Sequence, residues 1–275
     1  MKQTILITGS SSGIGKATAK LFAEKGWNVA ATMRTPAKGA DLAAIENIEV
    51  IQLDVTDKNS INNAVTETLE KFGRIDVVLN NAGYGTFGPL EYATDEQSRK
   101  LFDTHLFGVI DITKAVLPAM REQKSGIIFN VSSIGGSVTF PLISLYHSAK
   151  WAMEGLSESL SFELAPLGIK VKILQPGAIG TGFIDAMDHH VGEGENVYTP
   201  IVQRMMSNFE SFASNSSTSE SVAEVVYDAV HDESDTMRYL AGPDAVQMFT
   251  QRREVGDDAF IQGVGQQMLG EAVSE

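Results

Sequence analysis

The chain has 275 residues, of which 43% are hydrophobic and 20% charged, with a formal net charge of -14. That acidity excludes nucleic acid and an anionic membrane surface as main partners, while single basic residues and backbone amides remain able to bind phosphate locally. The chain has no cysteine, which excludes disulfides, thiolate catalysis and cysteine-ligated metals. No apolar run approaches the roughly 18 residues that span a bilayer, and the N-terminal run, broken by Gly9, is too short for a signal peptide. A soluble, cytoplasmic protein is expected.

Short apolar runs alternate with segments of helical period. Ile5-Leu6-Ile7 reads as a buried strand, followed by a glycine-rich turn and a helix from Gly13 to Lys25. Asn28 to Thr32 and Ile48 to Leu53 are the second and third strands. Asp57 or Ser60 starts a helix reaching Phe72, with Gly73 just past its end, where left-handed geometry costs least. Ile75 to Leu79 is a fourth strand. Thr94, with Gln97 three residues on, has the form of a capping box and opens a long helix to Glu122. Ile127 to Val131 is a fifth strand, Tyr146 to Leu164 a helix and Ile169 to Leu174 a sixth strand. A helix over Val222 to Val230 precedes a seventh strand at Met237 to Leu240.

Strands separated by helices of this length cannot pair as hairpins, so right-handed crossovers build a parallel sheet. The chain is expected to form a single domain over residues 1–275. Within it, residues 177–221, rich in Gly, Ser, Asn and Met, form an excursion over the site with short helices. Beyond Gln251 the sequence reads as helix or frayed end.

The first strand runs straight into Thr8-Gly9-Ser10-Ser11-Ser12-Gly13-Ile14-Gly15 and then a helix. Gly9, Gly13 and Gly15 let the backbone approach a pyrophosphate, and amides of Ser11, Ser12 and Ile14 stand at the helix N-terminus that stabilises its charge. The alternative is a plain glycine-serine loop. The second strand ends Thr32-Met33-Arg34-Thr35, with one guanidinium and no carboxylate. An acidic residue there would bind the ribose 2′-hydroxyl of NAD, whereas arginine accommodates the 2′-phosphate of NADP, so NADP(H) is favoured over NAD(H). Arg34 as a solvated surface charge is the alternative. Asp54, with Val55 beside it, either binds the adenine amino group or starts a turn.

Tyr146 and Lys150 stand four residues apart, on one face if the segment is helical. A phenol beside an ammonium is a tunable proton donor, because the positive charge favours the phenolate. The bland alternative is a packed tyrosine and a solvated lysine.

In order along the chain come Thr8-Gly9-x-x-x-Gly13-x-Gly15, Asp54, Asn80-Asn81-Ala82-Gly83, Ser133, Tyr146-x-x-x-Lys150 and Pro176-Gly177. This set resembles the short-chain dehydrogenase/reductases of compact single-domain type, and the resemblance runs to Gly242. It implies a doubly wound α/β Rossmann fold, with a seven-stranded parallel sheet and helices on both faces. It places Asn80, Asn81, Ala82 and Gly83 along the cofactor and Pro176, Gly177 and Thr181 near the nicotinamide. It makes Ser133, rather than Ser132, the donor to the substrate oxygen. Tyr146 is then the general acid/base, and Lys150 lowers its pKa with help from the oxidised nicotinamide and binds the nicotinamide ribose. The ending of the second strand is similar to that of carbonyl reductases and hydroxysteroid dehydrogenases. The implied activity is NADP(H)-dependent interconversion of a carbonyl compound and an alcohol, on a small-molecule substrate that is bulky and fairly apolar. The family needs no catalytic metal, and fold analogy implies a homodimer or homotetramer.

One position departs from the family, which usually has asparagine where this chain has His105. Leu101, His105, Val109, Ile112 and Val116 recur at helical spacing, which puts His105 on the inward face. It is either a satisfied core histidine or a proton relay that titrates near neutrality. Loss of catalysis there would leave an NADP-binding regulatory or sensor protein. A sugar-nucleotide epimerase or dehydratase also uses Tyr-x-x-x-Lys, but the first glycines and the short C-terminal part count against it. His189-His190 near Asp185 and Asp188 lie in a polar excursion and are not read as a metal site. Phe183, Met187, Met205, Met206 and Phe209 form an apolar lid or pack the excursion onto the body.

Overall fold

A computed structural model describes residues 2–180, 183, 186–213 and 216–270, with the backbone alone at 208–213. Seven strands follow the apolar runs: β1 (Thr4–Ile7), β2 (Asn28–Met33), β3 (Ile48–Gln52), β4 (Val77–Asn80), β5 (Gly126–Val131), β6 (Ile169–Pro176) and β7 (Arg238–Ala241). All pair in parallel, in the order β3-β2-β1-β4-β5-β6-β7. The order reverses between β1 and β4, which opens a crevice at the carboxyl ends of those two strands, where doubly wound sheets bind ligands.

Alternation along each strand feeds two cores. Ile5 and Ile7 pack with Phe22, Val29, Leu79 and Phe129, under the helices Gly13–Glu24 and Ser219–His231. Leu6 packs on the other face with Ile61, Val78, Ile112 and Ile128, under the helices Lys58–Phe72 and Gly108–Gln123. Both sheet faces are therefore covered, which is why the strands read as continuous apolar runs rather than alternating ones. Each fully buried Ile, Leu or Phe contributes roughly 1.5–3 kcal/mol.

The helix boundaries follow from capping. Asp57 accepts from the N–H groups of Asn59 at 2.8 Å and Ser60 at 3.3 Å, so the helix starts there rather than at Ser60. Gly73 closes it at φ 77°. Thr94 and Gln97 form the reciprocal capping box.

Two expectations are corrected. The long helix after Thr94 is not uniformly α-helical: Asp95–Phe102 and Gly108–Gln123 are joined by a π turn at Asp103–Phe107, an expansion that apolar spacing does not reveal. The excursion holds a helix of 15 residues, Thr199–Ala213, and a short parallel ladder between Thr86–Phe87 and Asp188–His189. Beyond Gln251 the helical reading holds: the C-terminal part folds into two helices, Pro243–Val255 and Asp257–Leu269. Among the described residues no helix is long and apolar enough to cross a membrane.

Candidate active site

The turn after β1 and the turn after β4 are locked together. Thr8 Oγ1 accepts from the backbone N–H groups of Asn81 and Ala82, each at 3.0 Å, and Asn81 Nδ2 donates to the carbonyls of Thr8 at 2.8 Å and Gly9 at 3.2 Å. Gly9 has φ 71°, and a Cβ on it would stand 2.9 Å from Ala82 Cα. A Cβ on Gly15 would stand 2.6 Å from the Gly9 carbonyl oxygen, so no larger residue fits either position without moving the backbone. The helix behind this cradle begins after Ser12, whose side chain caps nothing, and its first turn carries no acidic residue. Ser11, Ser12, Gly13 and Ile14 thus surround a helix N-terminus whose amides and positive dipole end are left without a side-chain cap or an acidic residue in the first turn among the described residues, the arrangement a pyrophosphate requires.

Arg34 follows β2, is exposed, and joins no ion pair among the described residues. The first carboxylate after β2 is Asp41. Lys16 and Lys20 hold it at 3.0 Å each and keep its carboxyl below the usual range. Asp54 makes the turn that its sequence context suggests, accepting through Oδ1 from the Thr56 N–H at 3.0 Å and hydroxyl at 2.8 Å. Val55 is buried, and its carbonyl lies where a Cβ on Gly108 would stand, at 2.6 Å.

β5 delivers Ser133, whose Oγ accepts from the Gly135 N–H at 3.0 Å. The helix Ser144–Leu164 brings Tyr146 and Lys150 to it on one face. Burial pushes the Tyr146 phenol up to about 12, against a Ser133 hydroxyl bonded to it that acts to lower it. The expectation of a phenol depressed by Lys150 is thus not met in the protein alone, because desolvation outweighs everything the side chains supply. Lys150 Nζ lies 5.6 Å from the Tyr146 ring centroid and donates to the Val131 carbonyl at 2.8 Å. The lysine is 5% exposed, and burial brings it down to about 7, opposed by the charge of Glu154. Lys172, also buried, shows the contrast: its Nζ donates to the Ala229 and Asp232 carbonyls and the Tyr239 hydroxyl at 2.6–2.8 Å, so all three donors are used. Lys150 uses one in the same count. Ser132 is buried and lies beside Gly136, where a Cβ would stand 2.6 Å from its Oγ, and not on the phenol.

His105 sits in the π turn, a distortion that recurs at functional sites. Its ring lies under Gly83, where a Cβ would stand 2.5 Å from Cε1, and edge-on to Tyr146 with centroids 5.7 Å apart. Nε2 lies 2.7 Å from the Tyr84 carbonyl and 3.1 Å from its N–H, while Nδ1 is buried with no partner among the described residues. The expectation of titration near neutrality is corrected, since burial first and the Lys150 charge second hold this imidazole well below its ordinary range. Burial thus favours its neutral form. Turnover between about pH 6 and 8 therefore shows no limb belonging to His105, and the limbs of His105→Asn coincide with those of the wild type. A limb near the ordinary histidine value that vanishes in the variant would contradict this.

β6 ends at Pro176, and the Gly177 N–H donates to the Ala241 carbonyl at 2.9 Å. Phe183 reaches Tyr146 with ring centroids 5.9 Å apart, and with Met187 it fills the space beside Gly85. Met205 is fully buried, whereas Met206 is half exposed, so the first packs the excursion down and the second faces out. Thr181 and Asp185 lie outside the described residues, as does the Phe209 side chain. His189 packs edge-on to Phe87 and His190 is buried, its N–H donating to the Phe87 carbonyl at 3.0 Å.

Sequence reading missed two residues of this cluster. Tyr84, which anchors His105 through its backbone, carries no sequence signal. Glu154 stands four residues after Lys150, the same interval that relates Lys150 to Tyr146, and helical spacing alone could have found it.

Residues 3–192 match the short chain dehydrogenase family, and the chain belongs to it. Over 229 residues it is 40% identical to an uncharacterized oxidoreductase of Schizosaccharomyces pombe, covering 83% of this chain and 96% of that one. It is 43% identical over 194 residues to a 3-ketodihydrosphingosine reductase of Bacteroides thetaiotaomicron, covering 70% of each. A short-chain dehydrogenase from Streptomyces avermitilis superposes with a TM-score of 0.83 at 32% identity, over 99% of this chain and 98% of that one. The fold and the family together define an oxidoreductase of the short-chain type.

Proposed function

We propose that this protein is a single-domain, NADP(H)-dependent oxidoreductase that interconverts a ketone or aldehyde and an alcohol by hydride transfer. The observation that carries the proposal is the meeting of Ser133, Tyr146 and Lys150 beside a glycine cradle with helix amides that no side chain caps among the described residues. The nicotinamide, when bound, supplies or accepts the hydride. The cradle around Gly9, Gly13 and Gly15 binds the pyrophosphate through backbone amides, and Asp54 and Val55 border the adenine. Ser133 donates to the substrate oxygen, where charge develops. Tyr146 gives that oxygen its proton in the reductive direction and takes it back in the oxidative one. Lys150 stabilises the resulting phenolate, and its remaining N–H groups meet the nicotinamide ribose.

Arg34 selects the cofactor. Among the described residues it is a cation without a carboxylate partner at the end of β2, and Asp41 nearby is engaged by two lysines. A charge-assisted bond to the 2′-phosphate is worth about 1.5–3 kcal/mol, so Arg34→Ser raises KM for NADPH by roughly ten- to a hundredfold and leaves KM for NADH unchanged. A wild type that prefers NADH would contradict the assignment.

The wall that Phe183 and Met187 build beside Tyr146 favours a fairly apolar carbonyl substrate, in keeping with the 3-ketodihydrosphingosine in the name of the Bacteroides relative. Phe107, Trp151 and Phe162 are exposed, the last at 80%, on neighbouring helices, and association into a homodimer or homotetramer buries them. Sedimentation as a monomer at micromolar concentration would refute that state.

A further inference from the structure

Behind Lys150 a line of charges runs out to the surface. Glu154 lies one helical turn beyond Lys150 on the same buried face, and the residue is 6% exposed. Its Oε1 accepts from Gln175 Nε2 at 2.8 Å, and its Oε2 from Arg238 Nε at 2.8 Å. Arg238 in turn pairs with the exposed Glu158. Gln175 precedes Pro176 at the end of β6 and also donates to Ser137 Oγ at 2.7 Å. The glycine at 136 leaves room for the carboxylate, since a Cβ there would stand 3.0 Å from Glu154 Oε1. Lysine, glutamate, arginine and glutamate thus alternate in sign from the catalytic cluster to solvent.

A buried carboxylate is costly unless it is paired and hydrogen-bonded. Glu154 has two fixed donors on two different strands, so its position is determined independently of Lys150. We propose that Glu154 is a positioning residue of the proton-transfer site, whose clamped carboxylate holds Lys150 in its charged, donating form. The inference rests on the reading of Tyr146 and Lys150 given above. It differs from a purely structural role in one respect, because a carboxylate that only braces the strands would leave the titration of Lys150 where it is. Consistently, Glu154 acts to raise the Lys150 pKa against the depression caused by burial.

Among the described residues, the ionisable groups facing Lys150 are Tyr146 and Glu154 on its own helix and His105 on the π turn. Facing Glu154 are Arg238 on β7 and Glu158 on its own helix. Lys172 of β6 points to the opposite side of the sheet, toward Ala229 and Asp232. Among the described residues, Glu154 is the anion that acts to sustain the Lys150 ammonium.

The test is the titration of Lys150 in the protein without cofactor, read by NMR from lysine labelled with ¹³C at Cε and assigned by its loss in Lys150→Met. In Glu154→Gln the midpoint falls by about one pH unit or more, and the alkaline limb of kcat falls with it. Glu154→Asp, which keeps the charge, stays close to the wild type. Arg238→Gln, which removes the cation competing for Glu154, moves the midpoint upward and supplies the answer if Glu154→Gln does not fold. A midpoint unchanged in Glu154→Gln, or lowered in Arg238→Gln, overturns the proposal. A shifted midpoint with an unshifted kcat limb instead overturns the participation of Lys150 in turnover, and the positioning role with it.

Discussion

Tyr146→Phe lowers kcat by about 10²–10⁴-fold, the span a positioned general acid contributes, while the dissociation constant for NADPH stays within about twofold of the wild type. The substitution removes one oxygen from a ring held between His105 and Phe183, with centroids 5.7 and 5.9 Å away, so the ring keeps its place. What it loses is the phenol hydroxyl bonded to Ser133. Parallel progress curves with a panel of ketones and aldehydes check this, and equal rates for variant and wild type would refute the assignment of the proton to Tyr146.

Lys150→Met abolishes turnover by about a hundredfold or more and makes the protein more stable at neutral pH. The sign follows from linkage. Lys150 falls from the ordinary 10.5 to about 7 in the folded chain, because burial disfavours its charge. Below that value the ammonium is carried in both states and the full burial penalty applies. Between about 7 and 10.5 the unfolded chain binds the extra proton, so wild-type stability rises with pH across that window. Methionine removes the penalty, although the Val131 carbonyl loses its donor at 2.8 Å. The net gain at pH 7 is on the order of 1–2 kcal/mol, and it fades as the pH rises from about 7 to 10.5. Thermal unfolding across this range reads both the gain and its fading. A lower midpoint for Lys150→Met at pH 7 would show that the lysine is a structural ion rather than one held at the expense of stability.

The sheet was legible because its strands are buried on both faces. Runs such as Ile5-Leu6-Ile7 and Ile127 to Val131 have no competing interpretation once helices of sufficient length separate them. Capping chemistry was equally local, as Asp57, Gly73 and the Thr94–Gln97 pair each declare themselves within four residues. The π turn at His105 was not legible, since one extra residue in a helix leaves the apolar spacing almost intact. Nor was the ladder between Thr86–Phe87 and Asp188–His189, two short segments about a hundred residues apart in the chain. At the site, residue types and order supplied Ser133, Tyr146, Lys150 and the glycine cradle. Protonation states were a different matter, because they depend on burial. The phenol lies above its ordinary value rather than below it, and His105 lies outside the neutral range. The lock between Thr8 and Asn81 joins turns from two strands and appears only when those strands pair.

The central claim is hydride transfer to a carbonyl carbon with Tyr146 as proton donor. NADPH deuterated at C4, incubated with a panel of apolar ketones and aldehydes, measures it directly by mass spectrometry of the alcohol formed. The wild type yields an alcohol carrying deuterium on the carbinol carbon, and Tyr146→Phe yields almost none in the same time. Equal labelling by both proteins, or tight NADPH binding with no labelled alcohol from any carbonyl compound, would contradict the account.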